Sequence, residues 1–182
     1  LSGSQAAADN GQSGPVYFLA GTTGGTVTRT FNVPADKYLL LPMVNTVCDT
    51  LWPDGNTVAE LRTCANGAAD SASNLKADGI AHSDPNLFHY REYFEDFSYE
   101  VVAGNAFGAV NTGLAEHAVA DGYWLMLEPL GTSGPYTITF GGETPFFTTQ
   151  VTDTITGVPE PASLALLASG LVGLAGVRRK RD

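Results

Sequence analysis

Basic residues are scarce in this chain. Only Arg29, Lys37, Arg62, Lys76 and Arg91 lie before Val158, against seventeen acidic residues in the same stretch. The formal charge of −12 that results repels nucleic acid and anionic lipid, both of which are bound by clustered Lys and Arg. Cysteine is nearly absent: Cys48 and Cys64 are the only two, and their spacing is not the Cys-x-x-Cys of a thioredoxin-like redox motif. Three histidines, His82, His89 and His117, are too few and too separated to build a zinc site, and Pro85 interrupts any helix that would bring His82 and His89 together. A Gly-x-Ser-x-Gly elbow is missing as well. Ser13, within Gly11-Gln12-Ser13-Gly14, sits in a loose polar stretch, so serine hydrolysis has no support.

What is present is concentrated at the C-terminus. Val158-Pro159-Glu160-Pro161 is followed by sixteen uncharged residues, 162–177, and then by Arg178-Arg179-Lys180-Arg181. Each proline fixes its own φ and biases its predecessor toward extended backbone, so Val158 to Glu160 reads as an exposed strand-like peptide open to a processing enzyme. The uncharged segment would span about 24 Å as a helix, short for a bilayer core of about 30 Å, so it crosses only with thinning or snorkelling flanks. Seven Leu and Val residues in 162–177 supply the apolar surface. The four basic residues stay cytoplasmic by the positive-inside rule, which puts the rest of the chain on the opposite side.

A Pro-Glu-Pro element, a short membrane segment and a basic cluster in this order resemble the PEP-CTERM sorting signal of Gram-negative bacteria. The resemblance implies recognition by an exosortase-type enzyme in the inner membrane, transient anchoring with the domain in the periplasm, and delivery to the cell surface or extracellular matrix, in the company of exopolysaccharide. Export also calls for an N-terminal signal, expected to have been removed or to lie outside the sequence. In the oxidising compartment that this topology implies, Cys48 and Cys64 are expected to bridge. Fifteen residues lie between them, and the loop-entropy model assigns such a bridge about 3 kcal/mol.

Residues 1–14 are small and polar and read as a mobile arm; residues 15–157 are long enough for one domain; 158–182 is the sorting signal. Within the domain, apolar runs and period-two alternation at 15–20, 26–33, 38–45, 98–103 and 146–156 predict strands. The run 38–45, apolar at odd and even positions alike, reads as a strand buried on both faces. Residues 58–64 predict a short helix, and Leu87, Tyr90, Phe94 and Phe97 at three- and four-residue spacing predict a second over 86–97, capped by Asn86. Residues 121–130 and 135–142 around Gly131-Thr132-Ser133-Gly134 predict an antiparallel hairpin. Short strands with Gly/Pro turns and no βα alternation imply a mainly β fold: a single antiparallel β-sandwich, jelly-roll-like, with one or two short helices and a C-terminal hydrophobic helix.

For chemistry the candidates are few. Glu92, Glu95 and Glu128 are the acids on which a secreted hydrolase would rest, although carboxylate clusters are common in so acidic a chain. Calcium is the ion best suited to extracellular acidic loops, with Asp49, Asp54 and Asn56 as ligands, or Asp78, Asp84 and Asn86; neither set has EF-hand spacing. Trp52, beside Pro53-Asp54, is the aromatic placed to stack on a sugar ring, whereas Trp124 lies in an apolar strand and reads as core. The expectation is a non-enzymatic surface or matrix protein, structural or adhesive and without a required cofactor. A carbohydrate-binding module and a secreted hydrolase are the alternatives.

Overall fold

The computed structural model describes residues 8–104 and 111–159. Among these the chain forms eight strands, β1 (Val16–Phe18), β2 (Gly25–Pro34), β3 (Tyr38–Asp49), β4 (Ser73–Asp78), β5 (Arg91–Val101), β6 (Gly113–Leu127), β7 (Tyr136–Glu143) and β8 (Thr148–Val158), with one helix, α1 (Val58–Asp70), between β3 and β4. The strands make two four-stranded sheets, ordered β1-β3-β6-β5 and β2-β8-β7-β4. One buried cluster unites them: Leu39, Leu41 and Met43 from β3 and Leu125 and Leu127 from β6 meet Phe31 and Val33 from β2, Ile138 and Phe140 from β7, and Val151 and Ile155 from β8. Two sheets that share one core form a sandwich.

The sandwich is mixed rather than antiparallel, and the jelly-roll expectation is corrected. β1 runs parallel to β3, and β2 runs parallel to β8 over ten residue pairs. The chain passes through β2, in the other sheet, between β1 and β3, so it returns to the first sheet pointing the same way. The predicted hairpin over 121–142 is also corrected, because β6 and β7 fall in different sheets. Pro129 and Pro135 lack the N–H that a ladder needs, and residues 128–135 are long enough to carry the chain from one sheet across to the other.

The second predicted helix is replaced by a 3-10 turn at Leu87–Tyr90 followed by strand β5. Four residues of β5, Phe94 to Phe97, lie opposite three of β6, Ala120 to Ala118, and Asp96 takes a φ of +51°. This bulge puts Phe94 and Phe97 on one face, with ring centroids 5.7 Å apart, and so counterfeits helical spacing on a strand. Helix α1 appears where expected and runs further, to Asp70. Its N-terminus is a capping box: Thr57 Oγ1 accepts from the Glu60 N–H, and the Glu60 carboxylate accepts from the Thr57 N–H at 3.0 Å. Leu61 and Ala65 pack with Cys48 and Val119 on the part of the β3–β6 inner face that the other sheet leaves uncovered.

Residues 8–14 of the expected arm are held against the domain. Gln12 exchanges side-chain hydrogen bonds with the Phe18 backbone N–H and carbonyl at 2.9 Å each, and the Tyr17 hydroxyl donates to Asp9 at 3.1 Å. No helix among the described residues is long and apolar enough to cross a membrane. The hydrophobic helix expected at 162–177 lies outside the described residues.

Candidate functional site

β8 is an inner strand of its sheet, held by β2 on one side and β7 on the other, and its last residue is Val158. The Val158 carbonyl accepts from the Ala35 N–H at 2.8 Å. Pro159 follows outside the ladder, having no N–H to continue it. The Val-Pro-Glu-Pro peptide therefore begins where the folded sheet ends, and Val158 belongs to both. Glu160, Pro161 and the basic residues Arg178, Arg179, Lys180 and Arg181 lie outside the described residues.

Cys48 and Cys64 form a disulfide with their Cα atoms 6.2 Å apart, fastening α1 to β3. The turn inside this loop is organised by its carboxylates. Asp49, almost wholly buried, accepts from the Leu51 N–H at 2.7 Å and from the Tyr99 hydroxyl at 2.5 Å. Burial first, and the Asp49 carboxylate second, push the Tyr99 phenol well above its ordinary range. Asp54 accepts from the Asp49 N–H at 3.3 Å, whereas Asn56 sits at the helix entry and donates its N–H to Glu60 at 2.8 Å. The turn thus brings Asp49 and Asp54 together and assigns Asn56 to the cap. Asp54 also lies within 4.8 Å of both cysteine sulfurs, which are committed to their bridge. Trp52 is exposed at the tip of the same turn.

The three candidate acids of a hydrolase are dispersed. Glu92 stands opposite Gly122 on β6, Glu95 is ion-paired with Arg62, and Glu128 lies past the end of β6, six residues beyond Gly122 and so about 20 Å away along the strand. Asp84 and Asn86, of the second carboxylate set, fix the loop before the 3-10 turn: Asp84 accepts from the Asn86 N–H at 2.8 Å and contacts His89 Nδ1 at 2.6 Å. Those two contacts hold the exposed Asp84 carboxyl below its ordinary range.

The two outer faces of the sandwich differ in chemistry. On the β1-β3-β6-β5 sheet, Phe18, Leu40 and Met126 lie in one cross-strand row and Pro42 and Trp124 in the next. Beyond the polar Asn45–Gly122–Glu92 row come Val47, Ala120 and Phe94. Phe18, Val47, Phe94 and Met126 are each 46–66% exposed. The reading of 38–45 as buried on both faces holds for 41–44, where Pro42 is buried on the outer face as Leu41, Met43 and Val44 are in the core, and is corrected at Tyr38 and Leu40, which meet solvent. Trp124 is likewise half-buried on this outer face rather than part of the core. Sequence reasoning missed Phe18, Val47 and Met126 as surface residues because an apolar position carries the same signal whichever face it occupies. On the β2-β8-β7-β4 sheet the outer positions are threonines in register, Thr30–Thr154–Thr137 and Thr28–Thr152–Thr139.

Compared with known proteins, residues 157–180 match the family model of the PEP-CTERM protein-sorting motif. No curated protein and no solved structure matches the chain.

Proposed function

The chain carries a PEP-CTERM protein-sorting motif, and from that premise we propose that it is a non-enzymatic structural or adhesive protein of a polysaccharide-containing matrix. The motif implies export, exosortase processing and transient anchoring by the C-terminal segment before release at the surface. What supports an adhesive rather than a merely soluble role is the apolar outer face around Phe18, Met126, Val47 and Phe94. Isolated exposed apolar side chains are ordinary, but cross-strand rows of them on one sheet face are the composition of an interaction surface. Glu92, Glu95 and Glu128 are dispersed, which gives no support to a hydrolase resting on those three acids. Trp52, exposed on its turn, keeps carbohydrate binding as the second reading.

Sorting is tested by mass spectrometry of the mature protein isolated from its native host. A chain ending close to Val158–Pro161 is the expected result. An intact C-terminus at Asp182 would instead make the segment a permanent anchor.

A further inference from the structure

At the end of the β2-β8-β7-β4 sheet, beside the β7–β8 turn, lies a depression of about 370 Å³. A β-bulge makes it. Ser73 faces Glu143 and Lys76 faces Gly141, so Asn74 and Leu75 share the single partner Gly142 between them. Asn74 accommodates the bulge with a φ of +51°. Gly142 is buried beneath the bulge, where a Cβ would come within 2.7 Å of Val44 Cγ2 and 2.9 Å of Leu75 Cδ2, so glycine lets the strands pack this closely. The depression is therefore built into the strand pairing.

Its rim is polar and largely uncommitted. Asn74 Nδ2 donates to Glu143 Oε2 at 2.8 Å and so holds that carboxylate in place as an acceptor. Lys76, Gln150 and Thr148 offer donors that make no side-chain hydrogen bond or ion pair among the described residues. For Lys76 this is informative, because the other four basic residues before Val158 are engaged. Arg29 pairs with Asp153, Arg62 with Glu95, and Arg91 with Asp70 and Asp121; Lys37 donates to the Gly14 carbonyl. In a body of net charge −12, a cation left unpaired beside a depression is a group available to a ligand.

We propose that this depression seats one residue of an uncharged polysaccharide. Lys76 and Gln150 donate to its hydroxyl oxygens, and Glu143 accepts from a hydroxyl. The size suits a sugar ring, and the site lies at the lower end of the volumes that small-ligand pockets have. One cation and one anion on the rim cancel, so net charge favours neither an acidic nor a basic ligand, while the rest of the body would repel a polyanion. The depression opens to solvent beside the sheet, so a repeated ligand can continue past it, with successive residues gaining from effective concentration. The hydroxyl rows Thr28–Thr152–Thr139 and Thr30–Thr154–Thr137 continue from it at about 6.7 Å per row, giving neighbouring sugar residues further hydrogen-bonding partners.

The site rests on the matrix reading only for the presence of polysaccharide. Mass spectrometry reports on sorting and not on binding, so the two can fail separately. The test is amide chemical-shift titration of the full chain in detergent micelles with cellohexaose, laminarihexaose and mannohexaose. At least one is expected to shift residues 73–76 and 142–150. Lys76→Met and Gln150→Leu are each expected to weaken that binding about tenfold without changing the thermal midpoint, and Trp52→Ala to leave it unchanged. Shifts by none of the three sugars, shifts confined to the Trp52 turn, or variants that bind like the parent would overturn the assignment.

Discussion

Arg29 and Asp153 face each other across the parallel β2–β8 pair, both inside the sandwich, with Arg29 Nε 2.9 Å from Asp153 Oδ1. The guanidinium also donates to the Ala20 carbonyl, which ties the chain before β2 to the same point. Burial raises the Asp153 carboxyl above its ordinary range, and Arg29 opposes that rise. An ion pair in this position adds little net stability, but removing one member strands the other. Asp153→Asn should therefore lower the unfolding free energy by about 3–5 kcal/mol, whereas joint replacement by Arg29→Met and Asp153→Leu should cost far less. Urea denaturation of the single and double variants measures both. Neither residue drew attention in the sequence, since Arg29 and Asp153 stand in threonine-rich alternating strands where charge reads as solvent-facing. Their inward direction follows from strand phase, which places them on the same side as Phe31, Val33, Val151 and Ile155.

Helix α1 shows how far an element can be read before its surroundings are known. The Thr57-to-Glu60 capping box and the apolar Leu61 and Ala65 are local signals, and the helix forms where they stand. Hydrogen bonds from the Asn56 N–H, the Thr57 hydroxyl and the Thr57 N–H, in that order of effect, lower the exposed Glu60 carboxyl from its ordinary range. For a lowered acid the stabilisation is complete above the unfolded pKa, about 4.3, and is lost as pH falls through the folded value. Thr57→Ala should cost about 1 kcal/mol near neutral pH and less in acid, once Glu60 is protonated. Chemical denaturation of parent and variant at about pH 7 and about pH 2 checks this, and an undiminished cost in acid would refute the reciprocal cap. Strand β5 is the contrasting element. Its aromatic spacing at Tyr90, Phe94 and Phe97 is helical in sequence, and only pairing with β6 reveals the bulge at Asp96 that produces it.

At the scale of the molecule, an acidic body with one apolar sheet face and one hydroxyl-bearing sheet face ends in a strand that turns directly into the sorting peptide. If the apolar face is the adhesive surface, Phe94→Thr together with Met126→Thr should leave the thermal midpoint within a few degrees, because both side chains are already more than half exposed. The same pair should reduce adsorption of the protein to a hydrophobic surface. Quartz-microbalance adsorption measures the second effect, and unchanged adsorption would move the adhesive role elsewhere. The sorting motif, the mainly β character, helix α1 and the cysteine bridge were readable from residue order. Each depends on local chemistry: a Pro-Glu-Pro element before an uncharged run and a basic cluster, period-two alternation, a short helical stretch after a turn, and two cysteines with fifteen residues between them. Strand partners, the parallel pairs, the outward turn of Phe18, Val47 and Met126, and the bulge that opens a depression beside Lys76 were decided by tertiary structure. Alternation says that a strand has two faces, and only the packing of one sheet on the other determines which face is covered.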